Sequence, residues 1–146
     1  MRKLVTYFSA EGNTKKIGDE LAQLLEADSF EIIPQELYTA SDIKWVNPLA
    51  RCNKEQLGKK DVPIAGKVEN WDEYDTIYIG FPIWYGMAPR IIYTFCEQYN
   101  WNGKKIHLFA TSISSKIGKT AEKLKPVVEG AEIVYAQVVK SANEVG

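Results

Sequence analysis

Six residues, Ser9-Ala10-Glu11-Gly12-Asn13-Thr14, carry the first chemical signal in the chain. They follow an apolar run, Leu4 to Phe8, of the branched and aromatic types that suit a buried strand, and they precede Ile17, Leu21, Leu24 and Leu25 at helical spacing. A strand, a tight loop and a helix start are expected in succession. Such a loop gathers unpaired backbone N–H groups and the positive end of the helix dipole, which together favour an anion, most often a phosphate. Ser9 and Thr14 add hydroxyls, Asn13 adds an amide, and Gly12 lets the backbone approach a ligand closely. An ordinary turn capped by Asn or Thr has the same local signature, so the decision falls to the rest of the chain.

A second loop, Gly80-Phe-Pro-Ile-Trp-Tyr-Gly-Met-Ala-Pro89, sets Trp84 and Tyr85 side by side between Pro82 and Gly86, with Ile83 before them. Large rings outside a regular element expose costly apolar area unless something covers them. They fold back onto the core, meet another subunit, or form a stacking platform for a flat ring. The third loop, Thr111-Ser-Ile-Ser-Ser-Lys-Ile-Gly118, is small and hydroxylated. It suits the other edge of a planar ligand, or equally a polar turn leading into a helix. Gly118-Lys119-Thr120 imitates the end of a G-x-x-x-x-G-K-[ST] loop, but Ile113 stands where its first glycine is needed, which argues against nucleotide hydrolysis.

Alternating strands and helices must hold these loops. The first helix is expected over about Thr14 to Glu26, followed by a strand from Ser29 to Ile33 that Pro34 closes, since proline cannot donate to a ladder. Gln35 to Asn70 is long and irregular, with Pro48 and Pro63 as breakers; Asn47-Pro48 reads as an N-cap and first helical position, opening a short helix to about Gly58. So long a connection is usually functional or partner-facing. A third strand from Asp75 to Gly80, a helix from Pro89 to Tyr99 with Ile91, Ile92, Phe95 and Cys96 on its apolar side, and a fourth strand from Ile106 to Thr111 follow. A helix from about Ile117 to Glu129, ended or kinked by Pro126, leads to a fifth strand, Glu132 to Val138.

This alternation predicts an α/β fold with a parallel sheet covered on both faces through right-handed crossovers. Ligands of such sheets sit beyond the carboxyl ends of the strands, where all three loops fall. After Val139 only Lys140 to Gly146 remain, although one more helix would usually cover the sheet; Asn143-Glu144 reads as a helix start that does not continue. A homodimer formed through the uncovered face, or a shortened chain, is the expectation.

The 146 residues make one domain, 1–146, with a substantial core. Lys plus Arg number 18 against 19 Asp plus Glu, so no global field recruits nucleic acid or an anionic membrane. No stretch reaches the roughly 18 apolar residues of a spanning helix, and the N-terminal apolar run is too short for a signal-peptide core, which predicts a cytoplasmic protein. Cys52, Cys96 and the single His107 lack metal-ligand spacing, so neither a metal nor a disulfide is expected. His107, inside a strand, reads as a core or half-buried residue rather than a base.

With the three loops in view, the chain resembles the flavodoxin-like family, which binds FMN, over nearly its whole length. Ser9, Gly12, Asn13 and Thr14 match the family's phosphate loop, with Glu11 where a neutral hydroxyl residue is common. Gly80 to Arg90 is similar to the second loop of a subgroup of single-domain bacterial flavodoxins, and Asp75 and Gly80 match the strand that carries it. The third loop keeps Thr111, Ser112 and Ser115 but has Ile113, Ser114 and Lys116 at the family's glycine positions. A β-branched residue there is a poor substitute for the backbone freedom and close approach of glycine.

The resemblance implies a flavodoxin-like doubly wound five-stranded parallel sheet of order 2-1-3-4-5, with helices on both faces and the terminal helix missing. It implies FMN as cofactor, with the phosphate on Ser9, Ala10, Gly12, Asn13 and Thr14. The ring would lie between Pro82, Ile83, Trp84, Tyr85 and Gly86 on one side and Thr111, Ser112 and Ser115 on the other. No side-chain catalyst is required, because the redox chemistry belongs to the flavin. Three functions stay open: an electron-transfer protein serving a redox protein partner or a small-molecule acceptor; an FMN-dependent NAD(P)H or quinone oxidoreductase with Gln35 to Asn70 as a lid; and a binding module that kept the fold and lost FMN.

Overall fold

The computed structural model describes residues 2–9, 12–34, 64–83, 88–112, 117 and 120–145. In chain order its elements are β1 (Arg2–Tyr7), α1 (Asn13–Leu25), β2 (Asp28–Glu31), β3 (Ile33–Pro34), β4 (Ile64–Ala65), β5 (Tyr74–Pro82), α2 (Arg90–Glu97), β6 (Lys105–Thr111), α3 (Thr120–Leu124) and β7 (Glu132–Val138). Short 3-10 turns occupy Trp71–Glu73, Lys125–Val127 and Ala142–Glu144. Five strands form a parallel sheet of order β2-β1-β5-β6-β7. Counting only these strands, the order is the 2-1-3-4-5 of a flavodoxin-like doubly wound sheet. The chain moves outward from β1 to β2, then crosses to the other side of β1 for β5, which makes the β1/β5 boundary the switch point where a ligand crevice opens.

Both faces of the central strands are buried, which is why they read as nearly continuous apolar runs. On one face Leu4, Phe8, Ile77, Ile79, Phe81, Ile106 and Leu108 pack with Ile91, Ile92 and Phe95 of α2 and with Leu124. On the other face Val5, Tyr7, Tyr78 and Phe109 pack with Ile17 and Leu21 of α1. Full burial of each large apolar side chain contributes about 1.5–3 kcal/mol, so the sheet is a rigid platform for whatever its edge holds. Helix α1 turns Thr14, Ile17, Gly18 and Leu21 inward at helical spacing. A Cβ on Gly18 would stand 2.5 Å from the Tyr7 ring, so glycine is what lets α1 lie flat on β1 beside the loop that joins them.

The chain departs from the expected pattern in two places and follows it in a third, the helix start at its end that does not continue. Ile33–Pro34 does not extend β2; it pairs antiparallel with Ile64–Ala65 in a separate two-stranded ribbon. The helix expected from about Ile117 is helical from Thr120 to Leu124, and Pro126 sits in the 3-10 turn that succeeds it, as a residue without an N–H should. At the end of the chain the helix start at Asn143-Glu144 is a single 3-10 turn. The Glu144 carboxylate accepts from the Ser141 amide at 3.0 Å and from the Lys140 amide, and the Tyr135 hydroxyl donates to the Glu144 carbonyl at 2.8 Å. Val139 and Ala142 are buried in the α1-side cluster, so this turn covers part of the face left without a terminal helix among the described residues. The helix expected over Asn47 to Gly58 lies outside the described residues.

Candidate functional site

Three strand ends meet at one edge. Past the end of β1, the Phe8 amide donates to the Gly80 carbonyl at 2.9 Å, and past the end of β5 the Ile83 amide donates to the Thr111 carbonyl at 3.1 Å. The first, second and third loops are thereby tied to one another at their roots. Phe8, Phe81 and Ala110 are buried and form an apolar floor beneath them.

Within the first loop the Ser9 hydroxyl accepts the Gly12 amide at 3.0 Å, which closes the turn. Gly12 has φ 97°, a left-handed conformation, and acts as the N-cap of α1. A Cβ there would touch nothing within 4 Å, so the need for glycine is in the backbone angle rather than in crowding. No side chain caps this helix start. The Gly12 carbonyl takes the Lys16 amide at 3.1 Å, so the amides of Asn13, Thr14 and Lys15 precede the first helical hydrogen bond. Uncapped amides and the helix dipole make an anion site without any cationic side chain.

Thr14 is 1 % exposed, and its hydroxyl lies 2.8 Å from that of Thr111 across 97 residues of chain. The phosphate-type loop and the end of β6 are thus joined side chain to side chain. Ser9, Pro82, Ile83, Thr111 and Ser112 are half-buried around this point, and Gly12 and Asn13 are exposed. The structure therefore brings Ser9, Gly12, Asn13, Thr14, Pro82, Ile83, Thr111 and Ser112 to one edge. Ala10, Trp84, Tyr85, Gly86 and Ser115, expected in the same site, lie outside the described residues, as do Ile113, Ser114 and Lys116. After the third loop the Thr120 hydroxyl and amide both donate to the Ile117 carbonyl, at 2.6 and 3.2 Å, which starts α3 as a polar turn.

Beside the loop runs a charged network that sequence patterning did not single out. The Lys15 ammonium donates to the Glu31 carboxylate at 3.1 Å and to the Tyr7 hydroxyl at 3.4 Å, and it stands 3.7 Å from Asp19; Tyr7 in turn donates to Asp19 at 2.7 Å. Burial, then the hydrogen bond to Asp19, pushes the Tyr7 phenol up to about 12. The hydrogen bond to Glu31 holds the Lys15 ammonium well above its ordinary range. Lys15 stays charged, yet its charge is matched by two carboxylates, leaving the amides as the electropositive element of the loop. Only the Lys15/Asp19 spacing of four was visible as a signal in the sequence.

His107 stacks on Tyr78 with ring centroids 4.4 Å apart and is half-buried in β6, as expected of a structural residue. Among the described residues no group of three or more His, Cys, Asp or Glu side chains could hold a metal ion, and no helix is long and apolar enough to cross a membrane. Cys96 is fully buried, and burial pushes its thiol far above the ordinary range, so it is chemically quiet.

Comparison with known proteins agrees with this geometry. A Flavodoxin family model matches residues 2–144. A protein of Bacteroides eggerthii DSM 20697 assigned as a flavoprotein is 36% identical and superimposes with a TM-score of 0.88, covering 95% of this chain and 88% of that one. Another so assigned, from Bacteroides uniformis ATCC 8492, is 36% identical with a TM-score of 0.87 over 97% and 93% of the two chains. A flavoprotein of Lactobacillus acidophilus NCFM, in complex with FMN, shares the fold at 22% identity and a TM-score of 0.73, covering 94% and 92%. No curated protein matches. With the family match spanning nearly all of its length and the strand order to go with it, the chain belongs to the flavodoxin family.

Proposed function

We propose that this protein binds FMN at the carboxyl edge of its sheet and serves as an electron-transfer flavoprotein. The observation that carries the proposal is the Ser9–Thr14 loop: a turn closed by the Ser9 hydroxyl, a left-handed Gly12, and uncapped α1 amides beside the buried Thr14 hydroxyl. That donor set, amides and hydroxyls without a cation, fits a phosphate monoester. The FMN complex of the Lactobacillus acidophilus protein of the same fold is further support. When bound, FMN supplies the redox chemistry, and the chain's task is to hold and orient it. Ser9, Ala10, Gly12, Asn13 and Thr14 would hold the phosphate. Trp84 and Tyr85 would stack on the ring, with Pro82, Ile83 and Gly86 shaping their loop, and Ser112 and Ser115 would line the opposite side, with Thr111 at its root beside Thr14. A carrier and a reductase would share this cofactor site, and turnover with NAD(P)H separates them.

Titration of the cofactor-free protein with FMN tests the proposal. Saturable quenching of flavin fluorescence at one FMN per chain is expected, with no quinone turnover when NAD(P)H is added. Absence of quenching would overturn FMN binding, and steady NAD(P)H-dependent quinone reduction would replace the carrier with an oxidoreductase. The cytoplasmic location and a redox partner, protein or small molecule, follow from the same proposal.

A further inference from the structure

Thr14 and Thr111 share a hydrogen bond in which either hydroxyl supplies the proton, at a separation of 2.8 Å that is ideal for O–H···O. Each hydroxyl has one proton to donate and two lone pairs to accept with. If Thr14 donates to Thr111, its proton is consumed in the pair. If Thr111 donates, the Thr14 proton is free for another acceptor. Two features fix Thr111 as the partner of constant position: it ends a buried strand, and its carbonyl is held by the Ile83 amide at 3.1 Å. Thr14, at 1 % exposure, has little water to offer it an alternative donor.

We propose that Thr111 is a positioning residue for anion recognition: by donating to Thr14 it aims the Thr14 proton at a phosphate monoester held by the first turn of α1. The inference deepens the FMN proposal, on which it rests, and moves Thr111 from the ring side of the site to the phosphate side. A charged acceptor on Thr14 selects the Thr111-to-Thr14 direction, because the chain of two hydroxyl bonds is polarised cooperatively by the negative charge. The consequence is specificity: Thr111 acts on ligands that carry the phosphate and is silent toward the same ring system without it.

The test is the affinity of the full chain for FMN and for riboflavin, in wild type and in T111V, T111S and T14V, with apo-protein melting temperatures alongside. T111V is expected to weaken FMN about fivefold, the worth of one hydrogen bond, and to leave riboflavin unchanged. T111S, which keeps the hydroxyl, restores FMN affinity. In the T14V background, T111V has no further effect, since the two residues act as one unit. Equal weakening of FMN and riboflavin by T111V, or no change in either, overturns the inference even where FMN binds wild type well. Where wild type binds no FMN, inorganic phosphate is the probe, read at the Gly12, Asn13 and Thr14 amides by NMR. Phosphate-induced shifts that shrink in T111V retain the inference for another phosphate ligand, and their absence in wild type ends it.

Discussion

Where β1, β5 and β6 begin, the sheet is closed by long charged and aromatic side chains; where they end, it offers hydroxyls, amides and a glycine. At the starting edge Arg2 pairs with Asp28 and, at 3.1 Å, with Glu73, while the Tyr74 hydroxyl donates to Asp28 at 2.7 Å. Trp71 stacks on Tyr99 at 4.3 Å and meets Trp101 edge-on at 4.8 Å, and the buried Lys104 ammonium donates to the Trp71 and Tyr74 carbonyls. At the finishing edge the corresponding groups are Ser9, Gly12, Thr14, Thr111 and Ser112, all of them small. One edge satisfies its own polar groups and stabilises the fold. The other leaves the start of α1 without a side-chain cap, so its first-turn amides face the place where a ligand anion would sit.

The contrast is broken most directly by exchanging stability for binding. Trp71→Ala removes a large ring from a packed aromatic cluster and is expected to cost about 3–5 kcal/mol in urea unfolding, while the folded fraction retains its FMN affinity. Loss of affinity in the folded fraction would show that the two edges are not independent. Gly12→Ala does the reverse. Its Cβ meets open space, so the penalty is that of an L-residue in the left-handed region, about 1–2 kcal/mol, and the displaced turn weakens FMN more than it weakens riboflavin. A variant with normal stability and normal FMN affinity would remove Gly12 from the site.

Lys104 sharpens the account of the closed edge through pH. Burial lowers its ammonium below the ordinary 10.5, with Asp72 and Asp75 opposing the shift. Below that folded value the unfolded chain holds its proton more tightly than the native one, so charging the group costs stability. As pH rises from the folded value toward 10.5 the cost disappears, and wild type gains stability relative to Lys104→Met. Parallel stability curves for the two proteins across that window would contradict the lowered ammonium.

The smallest effect is at Asp28. The Tyr74 hydroxyl, and then Arg2, hold its carboxyl below the ordinary 3.8, so its contribution is present above 3.8 and fades as pH falls through the lowered folded value. The advantage of wild type over Asp28→Asn should shrink in acid in that window. Because the pair is exposed and screened, the effect should be the smallest of these and smaller still in high salt.

Much of this division was legible in the chain because strands buried on both faces announce themselves. Glu132 to Val138 is the observed β7 at both ends, and Pro126 marked where α3 gives way. The three loops were visible because glycines and small polar residues interrupt those runs. Contacts that depend on tertiary approach were not visible. No local pattern pairs Ile33–Pro34 with Ile64–Ala65, since two residues set no periodicity. Nor does spacing reveal that Thr111, which by resemblance belongs beside a ring, bonds to a helix start 97 residues earlier. Nothing local distinguishes Lys104 from Lys105 beside it, and the carbonyls of Trp71 and Tyr74, brought near by the fold, accept its ammonium where it is buried.

Amide shift mapping of the isotopically labelled protein on addition of FMN tests the central claim in one experiment. The predicted result is a cluster of large shifts at Gly12, Asn13, Thr14, Ile83, Thr111 and Ser112, with Arg2, Trp71 and Lys104 unmoved. Shifts concentrated at the Arg2, Trp71 and Lys104 edge, or none at Gly12 to Thr14 with FMN in excess, would contradict the assignment of the finishing edge as the cofactor site.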